Sequence, residues 1–114
     1  NGTDEVARIT GDAVSATTGQ LIFSVLIGNT TTHVANFDTS GHFNPYTDNT
    51  HDLGTSSKRW RNLYTTDLQL SNKGKSNDVD GTWGDYTIQE GESDLFLINN
   101  RSGKKYKFNL TEVL

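Results

Sequence analysis

Along this chain, apolar residues arrive in short bursts, and Gly, Asn, Asp and Ser separate the bursts. No long stretch repeats its apolar positions at i, i+3, i+4 and i+7, so the pattern predicts strands and turns. The predicted strands are Val6-Ile9, Gln20-Ile27, His33-Asp38, Leu63-Leu70, Asp85-Gln89, Asp94-Asn99 and Lys104-Leu110. Turn signals fall at Thr10-Gly11-Asp12, Gly28-Asn29, Ser40-Gly41, Asn72-Lys73-Gly74 and Asn100-Arg101-Ser102-Gly103. The single proline, Pro45, sits in Asn44-Pro45-Tyr46 and predicts a break between two lobes.

The C-terminal third is the most regular. Asp94-Ile98 and Lys105-Leu110 flank a Gly-containing turn and predict a hairpin, with Asp85-Gln89 as the third strand of a meander. Tyr106, Phe108 and Leu110 alternate with Lys105, Lys107 and Asn109, the pattern of a half-buried strand. Leu95, Phe96, Leu97 and Ile98 are apolar on both faces, so that strand is expected to be central or covered on both sides. In the first third, Val6-Ala7-Arg8-Ile9-Thr10-Gly11 is echoed by Val34-Ala35-Asn36-Phe37-Asp38-Thr39-Ser40-Gly41. Two copies of a strand phrase are too few for a solenoid.

Composition sharpens this picture. Only 32% of the 114 residues are hydrophobic, against about 45–50% (Gly included) in a typical globular domain. Charge does not replace them, since 21% are Asp, Glu, Lys or Arg and the net charge is -4. Five Phe, four Tyr and two Trp, with many Val, Ile and Thr, are at odds with a disordered chain. The chain reads as ordered, β-rich and short of a core of its own, a shortage that further copies of the same chain would make good. Without cysteine there is no disulfide framework, and without methionine Asn1 is not a translation start, as expected of a processed product, an expressed fragment or the ordered part of something longer. The longest apolar run, Leu21 to Ile27, is broken by Ser24 and too short for a helical membrane span. An acidic chain offers no electrostatic footprint for nucleic acid.

Candidate chemistry is sparse. His33, His42 and His51 have no ligand pairing typical of zinc, although a histidine on a threefold axis would gather three imidazoles; surface or turn histidines are the favoured reading. Asp78, Asp80, Asp85, Glu90, Glu92 and Asp94 suit solvated turns better than a facing catalytic pair. Asn77-Asp78-Val79-Asp80-Gly81 lacks the ligand spacing and closing Glu of a calcium loop and reads as an Asx-rich turn. Nucleophile elbows and phosphate-cradling Gly loops are missing from the sequence, so no enzyme and no cofactor is expected.

Lys58-Arg59-Trp60-Arg61 raises a base- or sugar-stacking possibility. The i, i+3, i+4 spacing of Trp60, Leu63 and Tyr64, with Ser56 or Ser57 as cap, predicts instead one helical turn with Trp60 as a buried peg.

Residues Asp52-Leu53-Gly54-Thr55-Ser56-Ser57-Lys58-Arg59-Trp60-Arg61-Asn62-Leu63-Tyr64 also resemble the DLGSSxxRWxxIY signature of bacteriophage tail fibres and tailspikes. Upstream, Val6-Ile9, Gly19-Ser24 and Val34-Gly41 are similar to the strand-turn phrases preceding that signature. Downstream, Trp83-Gly91 and Lys104-Phe108 are similar to terminal segments of fibre-like proteins of marine phages. The resemblance implies a mainly β, elongated, intertwined homotrimer on a phage tail, non-enzymatic, whose distal tip meets a host surface glycan or protein. It implies a shaft-like β region over 1–44, a junction with the Trp60 turn over 45–75, and a β-meander tip over 76–114. Leu53, Trp60, Leu63 and Tyr64 become structural or trimer pegs, and Trp83 and Tyr86 the receptor-binding candidates. The self-cleaving chaperone that follows many such fibres has no counterpart after Leu70. A glycan-degrading tailspike fragment and a monomeric carbohydrate-binding module are the alternatives.

Overall fold

The computed structural model describes residues 6–114. They form two four-stranded antiparallel sheets and no helix. The chain divides into two compact units at Arg59/Trp60, each holding one sheet.

In the first unit β1 (Ala7–Ala13), β2 (Gly19–Ile27), β3 (Thr30–Phe37) and β4 (Phe43–Pro45) are hydrogen-bonded in chain order. The tightest connection, Gly28-Asn29, joins the paired residues Ile27 and Thr30. Both turn residues have positive φ, 55° and 67°, as the type I′ hairpin requires and as Gly and Asn allow. The turn read at Thr10-Gly11-Asp12 is not used. Gly11 pairs with Leu21 inside a seven-residue ladder, the Gln20 amide donates to Asp12 (3.1 Å), and the chain reverses at Val14–Thr18 instead. Pro45 ends β4, an edge strand that the sequence reading did not anticipate; an edge position tolerates the missing N–H.

Register assigns the faces. On one lie Ala7, Ile9 and Gly11, opposite Val25, Phe23 and Leu21, then Ala35 and Phe37, then Pro45 and Phe43. Phe23, Phe37 and Phe43 cluster there with ring centroids 5.1–6.2 Å apart. On the other lie Thr10 and Asp12, Gln20, Ile22 and Ser24, His33, Asn36 and Asn44. A bulge at Phe23/Ser24 brings His33 opposite Ser24, where its Nδ1 lies 2.7 Å from the Ser24 hydroxyl. The echoed phrases of the sequence become β1 and β3, parallel to each other on either side of β2.

The second sheet is β5 (Leu68–Ser71), β6 (Asp85–Glu90), β7 (Leu95–Asn99) and β8 (Lys105–Lys107), again in chain order. β7 lies inside the sheet, as its two-sided apolar character demanded, and the β7–β8 hairpin turns at residues 100–103 with Gly103 at φ 74°. β8 is shorter than its apolar alternation suggested, and all three of its residues are exposed. β5 starts at Leu68, and residues 60–67 have neither helix nor strand. Leu68, Leu70, Tyr86, Ile88, Leu95, Leu97 and Tyr106 share one face; Gln69, Thr87, Gln89, Phe96, Ile98, Lys105 and Lys107 share the other.

The packing is inverted. Only Ile22, Ser24 and Thr87 are buried among the described residues, and all three belong to the more polar face of their sheet. On the apolar faces Ile9 is 68% exposed, Phe43 56% and Leu70 46%.

The β3–β4 turn is held by one carboxylate. Asp38 accepts hydrogen bonds from the backbone N–H of His42 and of Ser40 and from the Asn44 amide, each 2.9 Å long. The His42 backbone donor is the main cause that holds its pKa down, at about 2. The folded value lies below the unfolded one, so the stabilisation is complete above the ordinary carboxylate range and is lost as pH falls through about 2. Thermal melting of the native chain should therefore fall between about pH 4 and pH 2, and Asp38→Asn should flatten that part of the profile. An unchanged pH slope in the variant would show that Asp38 does not hold the turn.

Candidate functional site

The end of the second sheet where β6 begins and β7 ends gathers Trp83, Asp85, Tyr86, Asn99, Asn100 and Arg101. Two adjacent asparagines, Asn99 at the end of β7 and Asn100 at the start of the β7–β8 turn, organise it. The Asn100 amide donates to Asp85 Oδ1 and to Thr87 Oγ1, both at 2.9 Å, and its backbone N–H donates to the Asp85 carbonyl at 2.8 Å. Thr87 in turn donates to Gln69 Oε1 at 2.6 Å, tying the turn to β5 across the sheet. Asn99 donates to the Tyr86 hydroxyl (3.2 Å) and accepts from the backbone N–H of Arg101 (3.0 Å) and Ser102 (3.2 Å). These bonds form two small networks, one around Asn100 and one around Asn99, that restrict the rotamers of their members.

Trp83 and Tyr86, the receptor candidates, are half-buried within this corner. The Arg101 guanidinium carbon stands 3.8 Å from the Trp83 ring centroid, and its Nη1 donates to the Trp83 carbonyl at 2.8 Å. Lys73 Nζ lies 6.0 Å from the same centroid. Tyr86 is seated beside Gly84, where a Cβ would come within 2.9 Å of its ring. Both aromatics are thus anchored, Trp83 under Arg101 with Lys73 nearby, and Tyr86 by Asn99 and the close approach at Gly84. Sequence reasoning named both but not Arg101, Asn100 or Gln69. Arg101 lies eighteen residues from Trp83, and no local spacing couples a turn arginine to a ring that distant.

A groove of about 400 Å³ opens on the polar face of the same sheet, lined by Gln89, Phe96, Ile98, Lys105, Tyr106 and Lys107. Arg101, Lys104, Lys105 and Lys107 are four of the chain's ten cations within seven residues, a local positive cluster in an acidic chain. Lys107 reaches Asp94 at 3.8 Å, a distance and exposure worth little in water.

The remaining candidates stand apart from this corner. Leu53, Trp60, Leu63 and Tyr64 are all exposed in the single chain, Trp60 at 69% and Tyr64 at 90%. His33 is taken up by Ser24 and stacks edge-on against Tyr46, with ring centroids 4.7 Å apart. His42 Nδ1 sits 3.2 Å from Asp38. No group of three or more His, Asp or Glu converges among the described residues. Asn77 and Asp80 close a turn on each other. Asp80 Oδ1 accepts from Asn77 and from the hydroxyl and backbone N–H of Thr82, with the Asn77 amide the leading cause that lowers its pKa. These bonds tie Asp80 Oδ1 to its own loop.

No protein-family model matches the chain, and no curated protein or solved structure matches it. The reading of this corner rests on its own residues.

Thr87 is the corner's most informative position. Thr87→Val keeps the shape but removes the two hydrogen bonds of the buried Thr87 hydroxyl, one to the exposed Gln69 side chain and one from the exposed Asn100 amide, at a cost of about 0.5–1.5 kcal/mol for each bond. Urea unfolding of the variant should show that loss. A midpoint unchanged from wild type would mean the network is solvated and does not organise the corner.

Proposed function

We propose that this chain is the C-terminal part of a bacteriophage tail fibre, a homotrimeric, non-enzymatic module of the virion that binds a host surface receptor, with a glycan as the receptor chemistry. The observation that carries the reading is the chain's unburied surface. The single chain exposes 9912 Å². A folded monomer of 12.6 kDa exposes about 6,200 Å², and two independent lobes of half that mass together about 7,500 Å². Even against the second figure, roughly 2,400 Å² is in excess, within the range of obligate subunit interfaces.

In this reading the three chains intertwine, and Trp60, Leu63, Tyr64 and Leu53, exposed in the single chain, pack against partner copies. The short helical turn at Trp60 forms in that assembled state. The second sheet is the tip, and the Trp83/Tyr86 corner with its Arg101 contact is where a sugar ring stacks. The lysines beside the adjacent groove favour an acidic glycan. The resemblance of Asp52–Tyr64 to the phage-fibre signature supports the same reading.

The test is retention of the labelled chain on an array of bacterial surface polysaccharides, with release of reducing ends measured in parallel. Retention without reducing-end release is expected. Trp83→Ala should weaken retention at least tenfold at unchanged oligomeric mass. Reducing-end release would replace this reading with the glycan-degrading tailspike. Loss of the oligomer in Trp83→Ala, or undiminished retention, would remove Trp83 from the receptor site.

A further inference from the structure

The apolar face of the first sheet has one property the second sheet lacks. Its paired positions, Ala7, Ile9 and Gly11 on β1, Leu21, Phe23, Val25 and Ile27 on β2, Thr30, Thr32, Ala35 and Phe37 on β3, and Phe43 and Pro45 on β4, include no Asp, Glu, Lys or Arg. On the second sheet the corresponding face carries Glu90 opposite Leu95. A face without charge can meet an identical copy of itself with no like-charge repulsion and no buried ion to compensate. The opposite face of the first sheet cannot do this cheaply. Its polar groups are already satisfied by one another, through Asn36 to Gln20 (3.0 Å), Gln20 to Asp12 and Ser24 to His33, and apposing a copy would desolvate Asp12.

We propose that copies of this chain associate through the Phe23/Phe37/Phe43 face of the first sheet, which forms the shared core of the assembly. The proposal rests on the oligomeric reading above and adds the surface to it. Ile9, Phe37, Phe43, Val25 and Ile27 are each 38–68% exposed in the single chain, so a large apolar area is available where the excess surface requires it. The three phenyl rings, already packed on one another, form a patch that runs from β2 to the edge strand β4, so part of their ordering entropy is spent before association. A sheet needs a second layer to bury its apolar side. Here that layer is another copy of the same sheet.

The absence of cysteine makes the test direct. Ile9→Cys places a single thiol on the apolar face, and Thr10→Cys, one residue on, places it on the opposite face. Treatment with a short bismaleimide should join Ile9→Cys chains into covalent dimers at micromolar concentration and leave Thr10→Cys chains single. In a second arm Phe37→Glu, which puts a carboxylate into every copy's contact, should weaken association at least 100-fold while Thr31→Glu, on the other face, preserves it. Circular dichroism separates loss of association from loss of the sheet. An oligomeric chain that cross-links through Thr10→Cys, or that keeps its mass as Phe37→Glu, would place the contact elsewhere and leave the oligomeric reading standing. A chain that is monomeric without any substitution would overturn both.

Discussion

The structure depends on one constraint: each of its two sheets is a single layer whose apolar side the chain leaves open. A sheet contributes little stability until that side is covered, because burial of apolar area is the main favourable term in folding. Ile22 is the only buried hydrophobic side chain among the described residues. A chain with 32% hydrophobic residues has too few to build a second layer, and it concentrates those it has in alternate positions of its strands. The low apolar content and the exposed phenylalanines are two views of one arrangement.

The polar sides show a different economy. Both sheets carry side-chain ladders there: Asp12, Gln20 and Asn36 across the first, and Gln69, Thr87 and Asn100 across the second. Such ladders add little net free energy per bond, but they penalise any slip of register, since one residue of slip would send these groups to the apolar side. Polar groups within the chain therefore help to specify register, and many of the apolar groups stay exposed. The same logic organises the Trp83 corner, where Asn99 and Asn100 hold the turn that brings Arg101 onto the indole.

Much of the strand pattern was legible because period-two alternation and Gly or Asn turn signals are local. Gln20–Ile27, Asp85–Gln89 and the β7–β8 hairpin lie within two or three residues of their expected ends, and Gly28-Asn29 turns where positive φ is cheapest. Gly11 misled, because a glycine signal cannot distinguish a turn from a strand position facing Leu21. β4 was missed because Phe43-Asn44-Pro45 is short and ends in proline, and only its edge position makes it a strand. At the candidate site, the aromatics were visible as residue types. Their partners were not, since Arg101 meets Trp83 and Gln69 meets Thr87 across eighteen residues of chain in each case. The Trp60 spacing suggested a helical turn, yet a lone turn gains almost nothing without a surface to pack on, and the single chain leaves residues 60–67 without regular structure.

The most direct test of the open-face account is the solution mass of the chain by light scattering across a dilution series. A mass near three times 12.6 kDa, persisting to micromolar concentration, is the result that the proposed trimer predicts. A stable, cooperatively unfolding monomer of 12.6 kDa would contradict it, because such a chain would be holding two uncovered apolar faces in water with nothing to offset them.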